Sequence, residues 1–212
     1  MSIVGVTQMI KVVVFDFDDT LYNTDVWYKW AEFCDSAIRK CLVGYSEEQV
    51  RDFIDKYNLI NACNGNAIAE ALIRETGKDE AWVKLRDDLY AEAKGVKFAK
   101  NEIIKEFSEN FTLYIVSFSP ESFIQYYSTK YGFDLSNFKK ILGNDQSQCE
   151  NNKKIVFEQI IKDSKIKPEE MCVIGDNYSR DILPARELNC NAIQITKISE
   201  INKKLLEKVK NM

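Results

Sequence analysis

Three short stretches gather the side chains that could do chemistry. Asp16-Phe17-Asp18-Asp19-Thr20-Leu21 follows one apolar run and Ser117-Phe118-Ser119 follows a second. Gly175-Asp176-Asn177 follows a third, with Asp181 five residues beyond Asp176. The chain has no histidine, which removes Ser-His-Asp and Cys-His nucleophilic machinery, His-ligated zinc and imidazole acid–base chemistry. Hydrolytic chemistry here has to run on carboxylates, lysine, hydroxyls or a bound hard cation. Asp16 and Asp18 stand at the end of the apolar run, and a sharp turn after Asp16 would bring both to one pocket. Carboxylates crowded together raise one another's pKa unless a cation neutralises them. Oxygen-only ligands favour a hard ion such as Mg²⁺, which takes one or two carboxylates plus water and substrate phosphate. That charge lets a phosphoryl group approach an acidic pocket and lets a carboxylate attack phosphorus. A second, partly protonated aspartate then donates to the leaving oxygen. Thr20 and Ser117 offer short hydroxyl donors for phosphoryl oxygens, and a lysine supplies the remaining positive charge.

The elements that must position these groups are legible as apolar runs. Lys11–Phe15 (KVVVF) is too apolar to alternate, as expected of a strand covered on both faces. Phe111–Val116, Met171–Ile174 and Ala192–Ile195 are similar, and Lys140–Leu142 is a weaker run. Helical patterns separate them, which predicts an α/β fold with a doubly wound parallel sheet. In such a sheet ligands bind beyond the carboxyl ends of the strands, where the polar residues above fall. The first two strong runs are far apart, and the intervening residues repeat apolar side chains at helical spacing (Trp27, Trp30, Ala31, Cys34, Ile38). Ser46-Glu47-Glu48-Gln49 reads as a capping box opening a further helix. The expectation is a core of residues 1–22 and 98–212 and an inserted α-helical domain over 23–97, hinged near Tyr22–Thr24 and Gly95–Lys97.

At these residues the sequence resembles the haloacid dehalogenase superfamily. VVVFDFDDTL is similar to its first motif, LYIVS to its second and VIGDNYSRD to its fourth; the third is a lysine ahead of a helix, and Lys153-Lys154 stands at that place. The resemblance covers Lys11 to about Ile195 and implies a Rossmann-like core with a helical cap. It implies Asp16 as nucleophile, Asp18 as general acid–base that also gives its backbone carbonyl to Mg²⁺, and Thr20 and Ser117 as holders of phosphoryl oxygens. The metal would be held by Asp16, Asp18 and Asp176, with Asp181 supporting it directly or through water. Spacing from Phe157 and Pro168 favours Lys153 as the phosphate-binding lysine, with Lys154 as the alternative. Phe118 stands where a small polar residue is frequent; its backbone N–H would reach phosphate while its ring narrows or greases the pocket mouth. Dehalogenases carry no acid two residues after the nucleophile, so Asp18 argues for phosphoryl transfer. The implied activity is a Mg²⁺-dependent phosphomonoester hydrolase acting on a small soluble phosphorylated metabolite, of the sugar-phosphate or nucleoside-monophosphate class. A phosphomutase of the same fold and a non-catalytic phospholigand-binding protein are the alternatives.

Some residues read more simply. Asp19 is expected to be structural or solvent-facing, and Ser119 to cap the helix that begins at Pro120. Tyr22, Asn23, Tyr28 and Asn64 are candidates for the specificity surface. With 29 basic and 33 acidic residues the net charge is −4, which argues against a nucleic-acid partner. No stretch approaches the roughly 18 apolar residues of a membrane span. The six cysteines form no CxxC pair, and with no secretory leader evident they read as reduced thiols of a cytoplasmic protein.

Overall fold

The computed structural model describes residues 9–24, 95–143 and 153–212, together with 46, 48, 49, 51, 52 and 87. All five expected strands are present: β1 (Val12–Phe15), β4 (Thr112–Val116), β5 (Phe138–Leu142), β6 (Met171–Gly175) and β7 (Asn191–Gln194). They form one parallel sheet in the order β5-β4-β1-β6-β7. β1 is central, in register with β4 (Val12 beside Thr112) and with β6 (Val12 beside Met171), so the chain moves outward from β1 first to one side and later to the other.

Successive strand residues serve opposite faces, which explains why the runs are wholly apolar. Val13, Phe15, Leu113, Ile115, Cys172 and Ile174 join a core covered by α1 (Asn101–Ser108), α2 (Glu121–Tyr131) and α5 (Lys203–Lys210). Val12, Val14, Tyr114, Val116, Met171 and Val173 face a second core covered by α3 (Lys154–Ser164) and α4 (Leu183–Glu187). Cys172 and Cys190 are free buried thiols, and burial pushes both up to about 12, far from the thiolate form. The other four cysteines lie outside the described residues.

Two further strands, β2 (Tyr22–Thr24) and β3 (Val96–Phe98), pair antiparallel with Tyr22 opposite Phe98. This ribbon brings residues 24 and 96 side by side at the two expected hinge positions. Ser46 and Gln49 bond reciprocally, each backbone N–H donating to the other's side chain, as the capping-box reading expects. Residue 87 is helical, and the rest of the further helices expected between residues 25 and 94 lies outside the described residues. Among the described residues, no helix is long and apolar enough to cross a membrane.

Candidate active site at the carboxyl edge of the sheet

The backbone after β1 makes the expected sharp turn. The carbonyl of Phe17 accepts the N–H groups of Thr20, Leu21 and Tyr22, and Asp19 takes a left-handed conformation at φ 58°. Asn23 Nδ2 donates to the Asp19 carboxylate, giving this non-glycine residue the local hydrogen bond that such a conformation favours. Asp19 is thus structural, as read. The turn's hydrophobic pin is Phe17, fully buried and stacked on Tyr22 at 5.4 Å. Tyr22 is itself fully buried between Phe17 and Phe98, so it does not belong to a specificity surface. Asn23 is half-buried in the turn; Tyr28 and Asn64 lie outside the described residues.

Asp16 is fixed to the sheet by its N–H bond to the Ile174 carbonyl, and its side chain is buried. Lys153 settles against it: Nζ donates to Asp16 Oδ1 at 2.6 Å and to Asp181 Oδ1 at 2.7 Å, with the lysine only 2% exposed. Lys154 turns instead to the surface and pairs with Glu187 at 3.0 Å. Of the two adjacent lysines, Lys153 is therefore the one that meets Asp16.

The loop after β6 is shaped to return Asp181 to this cluster. Asn177 caps it, its side chain accepting from the N–H groups of Ser179 and Arg180, and a single π-type turn over Tyr178–Ile182 leads into α4. Asp181 Oδ2 accepts the Asn177 N–H at 3.0 Å. The aspartate packs so closely on Gly175 that a Cβ there would lie 2.6 Å from Asp181 Cβ and Cγ. Gly175 is a requirement of the site that its place in the motif alone left unexplained.

Asp16, Asp176 and Asp181 each present a carboxylate oxygen within 4.8 Å of the others'. Burial pushes the Asp16 carboxyl well above the usual carboxylate range, with Asp181 and Asp176 adding to the rise and Lys153 opposing it. Burial also raises Asp176, helped by Asp181. For Lys153 burial works downward, but Asp16 and Asp181 outweigh it and hold the ammonium charged well above the ordinary lysine range. Three carboxyl groups thus share one ammonium in a pocket of oxygen donors. A hard divalent cation fits that donor set.

Asp18 stands apart from this group, its carboxylate outside the cluster of three. Its Oδ2 accepts from Ser119 Oγ at 2.6 Å and from Ser117 Oγ at 3.3 Å. Ser119 is therefore no helix cap: the N-cap of α2 is Pro120, without a side-chain cap, and Ser119 is buried against Asp18. Thr20 is fully buried, and its Oγ1 has no hydrogen-bond partner among the described residues. Such an orphaned buried hydroxyl suits a ligand oxygen. The Phe118 ring packs in the second core beside the site, with Lys153 Nζ 5.3 Å from its centroid and Arg180 on it at 5.8 Å.

This constellation sits in a chain whose residues 10–189 match the family model of haloacid dehalogenase-like hydrolases. The protein belongs to that family. Among solved structures, it is similar to a haloacid dehalogenase phosphatase from Thermococcus onnurineus, at TM-score 0.59 and 19% identity over 92% of this chain and 98% of that one. A 2-haloacid dehalogenase from Pseudomonas syringae pv. Tomato DC3000 aligns at TM-score 0.55 and 18% identity, covering 94% and 100%. A family enzyme from Bacteroides thetaiotaomicron, in complex with magnesium and inorganic phosphate, aligns at TM-score 0.55 and 16% identity, covering 87% and 93%. At such identities these likenesses speak for the fold. Among curated proteins no sequence matches significantly.

Proposed function

We propose that this protein is a Mg²⁺-dependent phosphomonoester hydrolase that works through an aspartyl-phosphate on Asp16. The observation that carries the reading is the different setting of two neighbouring aspartates. Asp16 lies against the Lys153 ammonium within the carboxylate cluster, whereas Asp18 lies outside it on two serine hydroxyls. Environments that differ in this way divide a carboxylate pair into nucleophile and acid–base. A 2-haloacid dehalogenase shares the fold, but displacement of a halide needs no proton donor at the leaving atom, and a donor is what Asp18 supplies.

In this reading Lys153, Thr20, Ser117 and the Phe118 backbone N–H hold the phosphoryl oxygens. The Asp16 carboxylate attacks phosphorus as Asp18 passes its proton to the departing alcohol oxygen. Asp18 then takes a proton from water, whose oxygen attacks the phosphorus of the acyl phosphate. Inorganic phosphate leaves and Asp16 is regenerated. Asp16, Asp176, Asp181 and the Asp18 carbonyl would hold Mg²⁺, which supplies the positive charge that lets the phosphate dianion enter an acidic pocket. Residues 23–97 form the cap in this reading, with the β2–β3 ribbon as its stem, and closure excludes water during the first transfer. The substrate is a small soluble phosphorylated metabolite of the sugar-phosphate or nucleoside-monophosphate class, met in the cytoplasm.

The test is release of phosphate from 4-nitrophenyl phosphate with Mg²⁺, with EDTA, and with Asp16→Asn. Turnover that needs Mg²⁺ and is abolished by Asp16→Asn is expected. Turnover retained after Asp16→Asn overturns the covalent step, and isomerisation of a sugar phosphate without phosphate release points to a mutase.

A further inference from the structure

Ser119 is buried to 1% exposure on the link between β4 and α2. Pro120 takes the N-cap position of α2, so the Ser119 side chain is not used in starting that helix. Its hydroxyl donates to Asp18 Oδ2 at 2.6 Å, the shorter of the two serine contacts with that atom. Its backbone N–H donates to Ser117 Oγ at 2.9 Å, filling one acceptor site of that hydroxyl and steering where its proton points.

Resting on the phosphotransfer reading above, we propose that Ser119 is the positioning residue of the general acid, holding Asp18 while Ser117 turns to the substrate. Ser117 and Ser119 both donate to the same carboxylate oxygen before substrate arrives. A phosphoryl oxygen that draws the Ser117 proton removes the longer, 3.3 Å bond and leaves the 2.6 Å bond from Ser119. That bond fixes the rotation of the carboxyl group. It also fixes the proton's address: an Oδ2 that accepts from Ser119 leaves the acid proton on Oδ1, the oxygen that must then face the leaving group. Breaking the P–O bond to the alcohol transfers that proton from Oδ1 to the alcohol oxygen, and no other reactant is needed.

The readout is leaving-group dependence, because an acid that is misaimed harms only those esters whose leaving oxygen needs a proton. kcat/KM is measured for 4-nitrophenyl phosphate, with a good leaving group, and for phenyl phosphate, with a poor one, in wild type, Ser119→Ala, Ser119→Thr and Asp18→Asn. Ser119→Ala is expected to lower the ratio of phenyl to nitrophenyl kcat/KM by about ten-fold or more, as Asp18→Asn does more strongly. Ser119→Thr, which keeps the hydroxyl, is expected to restore it. The ratio is independent of how much protein is correctly folded, so partial misfolding of a variant does not blur the result. An unchanged ratio in Ser119→Ala, with Asp18→Asn still lowering it, overturns the role of Ser119 and leaves the hydrolase reading standing. An unchanged ratio in Asp18→Asn overturns the acid assignment, and the role of Ser119 falls with it.

Discussion

Two aspartates of this protein receive a lysine ammonium at nearly the same distance, and their environments drive them in opposite directions. Asp16 meets Lys153 at 2.6 Å at the carboxyl edge of the sheet, where burial raises the aspartate despite its partner. Asp87, which is helical, meets Lys130 of α2 at 2.5 Å on a partly solvated face and also accepts from the hydroxyls of Tyr126 and Tyr127. There burial is the largest single influence and works upward, but the hydrogen bonds from Lys130, Tyr126 and Tyr127 together outweigh it and lower Asp87. The contrast teaches that the partner does not decide what an aspartate does. The first pair belongs to a buried cluster in which three carboxyl groups share one ammonium. The second is bonded, among the described residues, to one ammonium and two tyrosine hydroxyls.

The sharpest way to break the contrast is to remove each lysine in turn. Lys153→Met leaves two buried carboxylates without their ammonium, and the expected cost is about 3–5 kcal/mol in metal-free urea unfolding. Turnover of 4-nitrophenyl phosphate should fall by about 10²–10³-fold, the scale of losing one donor to developing charge. Lys130→Met, by comparison, should cost under about 1 kcal/mol, since that pair is half-exposed and screened. Equal costs for the two variants would show that burial does not separate them.

A smaller, uncharged change perturbs the buried cluster alone. Gly175→Ala places a methyl within 2.6 Å of Asp181 Cβ and Cγ, so the aspartate or the π-type turn has to move. Overpacking of this kind costs about 1–3 kcal/mol, which thermal unfolding would register at about 2–4 °C per kcal/mol. Because Asp181 shares Lys153 with Asp16, turnover should drop as well. A stable but inactive variant would localise the effect to the carboxylates; an unaffected one would mean that the loop yields freely.

How much of this was legible beforehand follows from which signals are local. The sheet was readable because strands buried on both faces are uninterrupted apolar runs, and the turn after Asp16 because the first run ends abruptly in polar residues. Lys153 and Lys154 could be ranked by spacing but not resolved, since both start the same helix with the same charge. Only the direction in which each side chain leaves the helix start separates the one on Asp16 from the one on Glu187. Ser119 was misread for a comparable reason: a serine before a helix is by habit a cap, and its contact with Asp18 lies 101 residues away. Each miss concerns a side chain's direction, which sequence spacing does not encode.

The Asp87 cluster offers the mildest test, through pH. Its carboxyl is lowered from an ordinary value of 3.8, so the folded protein holds it ionised more strongly than the unfolded chain does. An acid lowered on folding contributes stability that is present above its unfolded value and is lost as pH falls through the folded one. Lys130, raised above 10.5 chiefly by its hydrogen bond to Asp87, contributes stability present below that value and lost as pH rises through the folded one. The pair's contribution is therefore flat across neutral pH and closes at both ends. Asp87→Asn should lower the urea midpoint by a margin worth under about 1 kcal/mol at pH 7, and that margin should shrink below pH 3.8. Added salt should shrink it too, because both side chains reach solvent. A margin that persisted in acid and in salt would assign the contact to hydrogen-bond geometry, and Asp87 would then resemble the buried Asp16 more closely than its exposure indicates.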